Sequence, residues 1–169
     1  MTHIKKSALA TEITTFLKES NAIEGVFDDD SLDQAILAWE YLISEEELST
    51  AVILKTHKIL MLHQPLELKF KGAFRKCKVW VGGREGLDWR NVPVAINEWV
   101  KDAMTSVEVP GKDGNNIKID HVEFEKCHPM GDGNGRLGRL LFLWQRVKAG
   151  LPIEIIYEKD RQNYYQWFH

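Results

Sequence analysis

An apolar run near the end of the chain, "RLGRLLFLWQRVKAG" at residues 136–150, sets the strongest limit on the fold. On a helix its apolar residues would face nearly every direction, and Gly150 is a typical residue for ending a helix. A helix of this kind is stable in water only when other elements surround it. We therefore expect it to lie at the centre of the fold.

The rest of the chain is largely helical in its periodicity. Ser44 and Glu47 have the spacing of a capping box, which predicts a helix running to about His63. Apolar residues recur at helical spacing in four further segments, residues 10–20, 28–43, 92–104 and 117–127. Between Pro65 and Pro93 the pattern changes, because "RKCKVWVGG" alternates as a strand does and "GGREG" is turn material. The predicted fold class is mostly α with one β-hairpin.

Length and composition are those of one globular domain. The chain has 169 residues, 44% of them apolar and 28% charged, and a formal net charge of −3. That charge argues against broad nucleic-acid binding, so a phosphate ligand would need a local binding device. The sequence has no apolar run long enough to span a membrane and no leader with an apolar core. Cys77 and Cys127 indicate reduced thiols. We expect a cytoplasmic protein with neither a membrane nor a nucleic acid as partner.

The segment that leads into the central helix, "HPMGDGNGRLGR" from His128 to Arg139, has an unusual composition. Its glycines match the dinucleotide fingerprint G-x-G-x-x-G, but that fingerprint needs a buried strand before it, and "VEFEKCHPM" is charged with a helical period. A calcium loop starting at Asp132 fails because Arg136 and Leu137 stand where a ligand and a glycine are required. A helix-start loop with incidental polar residues is the plainest alternative.

A phosphate-binding loop at the helix N-terminus accounts for every polar residue of this segment. Glycines let backbone N–H groups approach an anion, and the helix dipole adds partial positive charge. Arg136 and Arg139 lie one turn apart, so both can reach phosphate oxygens. Asp132 can hold a Mg²⁺ ion that bridges two phosphates, and His128 is suited to accept a proton at neutral pH. The segment predicts a phosphate compound bound beside a general base.

The same segment resembles the core motif of Fic-domain proteins, H-P-F-x-[D/E]-G-N-G-R-x-x-R, and matches it everywhere except at Met130, where the family usually has phenylalanine. Methionine is expected to fill the same apolar pocket. The order of helices, "KGAFR" before the hairpin, "HVEFEKCHP" and the chain length extend the resemblance to almost the whole chain. It implies a single Fic domain over residues 1–169, a helical bundle with a β-hairpin flap. The "GNGR" form resembles the branch that transfers AMP from ATP, not the toxin branch that acts as a protein kinase.

The resemblance also implies roles for individual residues. His128 would take the proton of a target hydroxyl as it attacks the α-phosphorus of ATP, and Asp132 would hold Mg²⁺ between the α- and β-phosphates. The loop backbone, with Asn134, would hold the α-phosphate, and Arg136 would neutralise the β- and γ-phosphates as pyrophosphate leaves. The residues expected to contact ATP are Gly133, Asn134, Gly135, Arg136 and Arg139.

A second, shorter motif lies near the N-terminus. "SNAIEG", from Ser20 to Gly25, resembles the family's inhibitory motif [S/T]-x-x-x-E-[G/N], with Glu24 as the blocking carboxylate. Without a Fic core in the same chain, Glu24 would be interpreted as a solvated residue at a helix end. The resemblance implies an N-terminal inhibitory helix at about residues 10–25, in which Glu24 pairs with Arg139 and keeps that arginine from the γ-phosphate.

Other features have both a functional and a structural interpretation. In Fic proteins the hairpin aligns a target segment by strand pairing, and Trp80 could add contact area there or cover the core. Tyr164, Tyr165 and Trp167 could pack on an adenine, but core packing is the expectation. The histidines of the third helix, residues 57 and 63, are expected to be structural.

The sequence is compatible with three functions. The first is an autoinhibited protein adenylyltransferase that modifies a serine, threonine or tyrosine of a target docked on the hairpin. The second is an enzyme that removes AMP, with Glu24 positioning a water molecule. The third is a non-catalytic, nucleotide-binding regulatory module. The sequence fixes neither the target nor the nucleotide donor nor the oligomeric state, and it is compatible with a homo-oligomer.

Overall fold

A computed structural model describes the backbone of residues 3–169 and the side chains of residues 9–169. The helices of this part of the chain are α1 (His3–Ile23), α2 (Asp29–Ser44), α3 (Thr50–Leu60), α4 (Val92–Glu108), α5 (Asn115–Cys127), α6 (Asn134–Lys148) and the short α7 (Arg161–Tyr165). Two strands, β1 (Trp80–Val81) and β2 (Arg84–Glu85), form an antiparallel hairpin. The predicted fold class, mostly α with one hairpin, is confirmed.

The apolar run forms α6, which lies at the centre of the molecule. Every residue from Arg136 to Arg146 is buried, and α1 to α5 all pack against the helix. Full burial of a large apolar side chain such as Phe142 or Trp144 stabilises the fold by roughly 1.5–3 kcal/mol. The central helix therefore fixes the position of the glycine segment that begins it.

The N-terminal helix α1 is longer than its periodicity suggests, because it starts at His3 and not near residue 10. Phe16 and Leu17 are buried, as the predicted apolar face requires. The helix ends at Ile23, so Glu24 lies in the turn that follows. Residues 1 and 2, which the predicted single domain includes, lie outside the described residues. In the described chain, no helix has the length and apolar character needed to cross a membrane.

The connection between α2 and α3 differs from the prediction. Ser44 is the last residue of α2, and Ser49 caps α3 by accepting a hydrogen bond of 3.2 Å from the backbone N–H of Val52. The capping box predicted for Ser44 and Glu47 is therefore wrong. The bend lies at residues 46–47, and Leu48 between it and Ser49 is buried.

The hairpin is shorter than the alternating pattern indicates. Trp80 pairs with Glu85 and Val81 pairs with Arg84, across a tight two-glycine turn. Ahead of β1, an isolated bridge joins Phe74 to the glycine segment. Between this bridge and β1, the carbonyl of Cys77 accepts a hydrogen bond from the side chain of Arg75, and the carbonyl of Val79 accepts from the N–H of Gly86.

Candidate active site

The glycine segment lies beside a cavity of about 830 Å³, bounded by the hairpin on one side and by the C-terminal aromatic residues on the other. Four residues of the predicted site line it, namely Glu24, His128, Gly135 and Arg139. Asp132 and Arg136 lie on the other side of the loop, in contact with the end of α3. The structure thus brings the predicted base, one arginine and the predicted inhibitory carboxylate into one space.

His128 ends α5 in a left-handed conformation, with φ +48° and ψ +60°. Non-glycine residues adopt this region rarely, and such strain is typical of functional sites. Burial lowers the pKa of His128, and the nearby carbonyl of Glu125 opposes this only in part. The imidazole is therefore neutral near pH 7 and able to accept a proton.

Arg75 holds both His128 and the hairpin, and sequence reasoning missed it. Its side chain is buried and its Nε donates to the carbonyl of His128 at 2.7 Å. The two terminal nitrogens donate to the carbonyls of Cys77 at 2.8 Å and Leu87 at 2.6 Å, on either side of the hairpin. Nothing in the local pattern marks this role, because these three hydrogen bonds depend on the folded position of α5.

Asn134 closes the glycine loop on itself. Its Oδ1 accepts from the N–H of Met130 at 2.8 Å and its Nδ2 donates to the carbonyl of the same residue at 2.9 Å. The amide therefore shapes the loop whose backbone, together with Asn134, is expected to hold the α-phosphate. Met130 is fully buried, as expected for the residue that replaces the family's phenylalanine. Gly133 has φ +75° and lies against Met61, so glycine is required there on both counts.

His57 fixes the loop to α3. The backbone N–H of Gly72 donates to its Nδ1 at 2.9 Å, so the ring proton is on Nε2 and is donated to the carbonyl of Asp132 at 2.9 Å. Burial lowers the pKa of His57, which keeps this arrangement neutral. The expectation of a structural histidine agrees with this position.

Arg136 lies in the first turn of α6 and is only 6% exposed. One terminal nitrogen lies 3.4 Å from the thioether sulfur of Met61, and among the described residues its buried Nε has no hydrogen-bond partner. Burial lowers the pKa of the guanidinium. A buried cation with a free N–H group, at a helix N-terminus whose N-cap Gly133 has no side chain to cap it, fits an anionic ligand.

Arg139 is 1% exposed, and three of its hydrogen bonds go to the N-terminal segment. Its Nη2 donates to Oε1 of Glu24 at 2.7 Å and to the carbonyl of Ser20 at 3.0 Å, while Nε donates to the hydroxyl of Ser20 at 2.9 Å. Burial opposes the charge, but the pKa of the arginine is raised, with the charge of Glu24 and its hydrogen bond favouring the cation. The contact predicted between Glu24 and Arg139 is present.

Gly135 lies directly under the carboxylate of Glu24. A Cβ atom at this position would collide with Oε1 of Glu24 and would also lie 3.0 Å from Arg139 Nη1. Glycine is therefore needed for the approach of the carboxylate, in addition to its predicted part in the phosphate loop.

Two further residues at the cavity were not predicted to belong to the site. Tyr164 was expected to pack in the core, and it also places its hydroxyl 3.4 Å from Arg139 Nη1. Glu125 lines the cavity with one buried oxygen against Gly138; burial raises its pKa to about 7, although Arg139 opposes the shift. Both contacts join segments far apart in sequence, so no local pattern could reveal them.

A metal ion at this site would need coordinating atoms from a bound phosphate compound in addition to those of the protein. Among the side chains of residues 9–169, no cluster of three or more His, Cys, Asp or Glu is arranged to hold a metal. Asp132 is exposed at the start of the loop, and one carboxylate oxygen accepts from the N–H of Gly133 at 2.7 Å. Mg²⁺ often takes one or two carboxylates together with substrate phosphates. The residues present fit a Mg²⁺ ion that also binds nucleotide phosphates.

Sequence comparison identifies relatives over most of the chain. The Fic/DOC family model matches residues 47–145, which is more than half of the chain. "Protein adenylyltransferase Fic" of Drosophila willistoni is 30% identical over 130 residues, which cover 75% of this chain and 25% of that protein. The protein of the same name from Aedes aegypti is 30% identical over 119 residues, covering 68% and 23%. The chain spans about a quarter of the length of these relatives.

Solved structures agree with the fold. A Fic-domain-containing signaling protein from Bacteroides thetaiotaomicron superposes with a TM-score of 0.78 at 17% identity, over 95% of this chain and 72% of that one. Fic-1 from C. elegans superposes with a TM-score of 0.71 at 19% identity, over 90% and 53%. With a family match across its centre and the Fic fold throughout, the chain belongs to the Fic/DOC family.

Proposed function

We propose that this chain is a protein adenylyltransferase that transfers AMP from ATP to a serine, threonine or tyrosine hydroxyl of a target protein. The observation that carries the proposal is that His128 and Arg139, a neutral base and a buried cation, line the same cavity. The shared name of the relatives, protein adenylyltransferase Fic, supports the same reaction.

In the proposed reaction His128 takes the proton of the target hydroxyl while the hydroxyl oxygen forms a bond to the α-phosphorus. The bond from the α-phosphorus to the oxygen that bridges to the β-phosphate breaks, and pyrophosphate leaves. The N–H groups at the start of α6 and the guanidinium of Arg136 stabilise the charge on the phosphates. Mg²⁺ bound to Asp132 would neutralise further phosphate charge. The lowered pKa of His128 supports its role as the base.

The proposal includes inhibition by Glu24. Arg139 is the arginine expected to receive the γ-phosphate, and its ion pair with Glu24 and its bonds to Ser20 occupy that cation. ATP would bind productively only in the fraction of molecules in which this pair is open, so the activity falls by that fraction. The Glu24 side chain is 39% exposed, which leaves it free to move away without a large loss of core packing.

The hairpin is the proposed docking site for the target. Its strands have two residues each, they border the cavity, and Trp80 on β1 is 70% exposed. An extended target segment could pair with such an edge through its backbone and place one hydroxyl near His128. A target protein bound in this way would be recognised mainly by its backbone.

The test uses ATP labelled in two positions. Glu24→Gly is incubated with Mg²⁺, a cell lysate and ATP carrying the label on either the α- or the γ-phosphate. Adenylyl transfer predicts protein labelling from the α-label alone, whereas phosphoryl transfer predicts labelling from the γ-label. Labelling should disappear in Glu24→Gly with His128→Ala. Glu108→Gly, at the exposed end of α4, is the matched control and should behave as the wild type.

The same experiment separates the other two functions. An AMP-removing enzyme predicts that the wild type, but not Glu24→Gly, releases AMP from a protein labelled beforehand. A non-catalytic module predicts ATP binding without protein labelling in either form. Either result would overturn the proposed transferase.

A further inference from the structure

Arg139 has one hydrogen-bond partner outside the N-terminal segment among the residues that the structure describes. Three of its bonds go to Ser20 and Glu24, which must release the arginine before ATP can use it. The fourth runs from Nη1 to the hydroxyl of Tyr164 at 3.4 Å. When Ser20 and Glu24 withdraw, this hydroxyl is the contact that stays with the guanidinium.

Tyr164 is itself held firmly. It belongs to α7, it is 4% exposed, and its ring packs on those of Trp167 at 5.3 Å and Phe168 at 5.2 Å between centroids. The Cζ atom of Arg139 lies 5.6 Å from the centre of the tyrosine ring. A ring fixed on several sides can in turn fix what its hydroxyl binds.

His121 completes a chain of hydrogen bonds behind the tyrosine. Its Nε2 lies 2.8 Å from the Tyr164 hydroxyl, and burial lowers its pKa to about 3, so the ring is neutral. Burial also raises the pKa of Tyr164, so the phenol keeps its proton. Arginine can only donate, so the hydroxyl accepts a hydrogen bond from Arg139 and donates one to Nε2 of His121. The two hydrogen bonds, from Arg139 to Tyr164 and from Tyr164 to His121, donate in the same direction and so strengthen each other.

We propose that Tyr164, supported by His121, is a positioning residue that keeps the guanidinium of Arg139 in its place once Glu24 has withdrawn. This inference rests on the proposed function, in which Arg139 binds the γ-phosphate. An arginine side chain loses considerable rotamer freedom when it is fixed. A guanidinium already held by Tyr164 loses less of that freedom on binding ATP, so the hydroxyl increases ATP affinity without touching the nucleotide.

The test measures nucleotide affinity in Glu24→Gly with His128→Ala, which binds without turning over. Adding Tyr164→Phe keeps the ring and removes the hydroxyl, and ATP affinity should fall about tenfold, as for loss of one hydrogen bond to a charged group. ADP has no γ-phosphate, so its affinity should stay within about twofold. Tyr157→Phe, an exposed tyrosine, is the matched control and should change neither affinity. An equal loss for ATP and ADP would overturn the proposal.

Further variants, at Arg139 and at His121, test whether the loss of ATP affinity depends on the contact between Tyr164 and Arg139. With Arg139→Ala also present, Tyr164→Phe should have no further effect on ATP; an undiminished effect would overturn the proposal. His121→Leu, which leaves the tyrosine intact, should show the same ATP-selective loss in weaker form, and serves if Tyr164→Phe does not fold. In active Glu24→Gly, Tyr164→Phe should raise KM and leave kcat almost unchanged.

Crystal structures of Glu24→Gly with and without Tyr164→Phe separate this inference from the proposed function. The guanidinium of Arg139 should keep its place in the first protein and move or become disordered in the second. If it keeps its place in both, Tyr164 does not position it. If it moves while ATP affinity is unchanged, Arg139 is not the γ-phosphate ligand, and the proposed role of that arginine fails along with the inference.

Discussion

The two arginines that begin α6 are both buried, at 6% and 1% exposure, but their surroundings are opposite. By hydrogen bonding and not by position, Arg136 and His128 form the unpaired half of the site. In this half the Arg136 Nε and the His128 Nδ1 are buried without a well-formed hydrogen bond to any described residue. Arg139 belongs to a paired half, where Ser20 and Glu24 satisfy it.

The difference shows where control over this site can be exerted. A buried, unpaired cation is costly to the fold, and an anionic ligand would remove that cost. A cation already paired with a carboxylate gains much less from the same ligand. The two arginines are one helical turn apart. A nucleotide that reaches both would therefore pair with the free Arg136 but would have to displace Glu24 from Arg139. We therefore propose the ion pair between Glu24 and Arg139 as the point of regulation.

Removing His128 should have the largest effect, because it deletes the chemistry of the unpaired half. In the Glu24→Gly background, His128→Ala should lower AMP transfer on the order of a hundredfold to ten-thousandfold, the range expected for a general base. ATP affinity, measured by calorimetry, should change little. His63→Ala, at an exposed histidine in the turn that follows α3, is the control. Transfer near the parent rate would remove His128 from the mechanism.

Glu125 is a second carboxyl group near Arg139, and its raised pKa has a consequence for stability. The folded protein holds a proton on Glu125 up to about pH 7, whereas the unfolded chain releases it near its ordinary value of 4.5. Stability should therefore fall as the pH rises from about 4.5 to about 7, by at most about 3 kcal/mol. Glu125→Gln should lack this decline and be the more stable protein above pH 7. Urea unfolding of both proteins at pH 5 and pH 8 tests this, and parallel curves would contradict it.

Replacing each arginine by methionine sharpens the comparison directly. Arg139→Met leaves Glu24 and Ser20 without their partner and should lower the free energy of unfolding by about 1–3 kcal/mol. Arg136→Met removes an unpaired charge beside Met61 and should change stability by less than about 1 kcal/mol. Thermal unfolding of the two variants measures both changes in stability. Equal losses would mean that the two halves are energetically alike.

The smallest expected effect belongs to Ser20. Ser20→Ala removes the hydroxyl that accepts from Arg139 Nε at 2.9 Å but keeps the carbonyl contact and the ion pair. Loss of that bond should weaken the inhibited state by about 1 kcal/mol and raise transfer about fivefold. Ser44→Ala, at the exposed end of α2, is the control. A decrease in transfer would indicate that Ser20 supports activity and not inhibition.

Local patterns predicted the elements whose interactions are local. The helices with a regular apolar stripe followed from spacing, because burial repeats with the helical period. The central position of α6 followed from its apolar residues, which face nearly every direction. The start of α3 was misplaced because Ser44 and Ser49 both suit a cap, and only the buried Leu48 between them decides which one is used.

The site itself was predictable where a motif is contiguous and not where the fold assembles it. The segment from His128 to Arg139 carries its chemistry in one stretch of sequence. Tyr164 reaches Arg139 from 25 residues away and Arg75 reaches His128 from 53 residues away. Such contacts depend on how α5, α6 and the C-terminal aromatic residues pack, and neither residue type nor spacing encodes that packing locally.

The central claim is that Glu24 inhibits by holding Arg139. The most direct test compares initial rates of α-label transfer for the wild type, Glu24→Gly, and Glu24→Gly combined with Arg139→Ala. If the inhibited form dominates, Glu24→Gly should be more than about tenfold faster than the wild type. The double variant should lose that gain, because the arginine released by the first change is then missing. An unchanged or lower rate in Glu24→Gly, or a gain that survives Arg139→Ala, would contradict the claim.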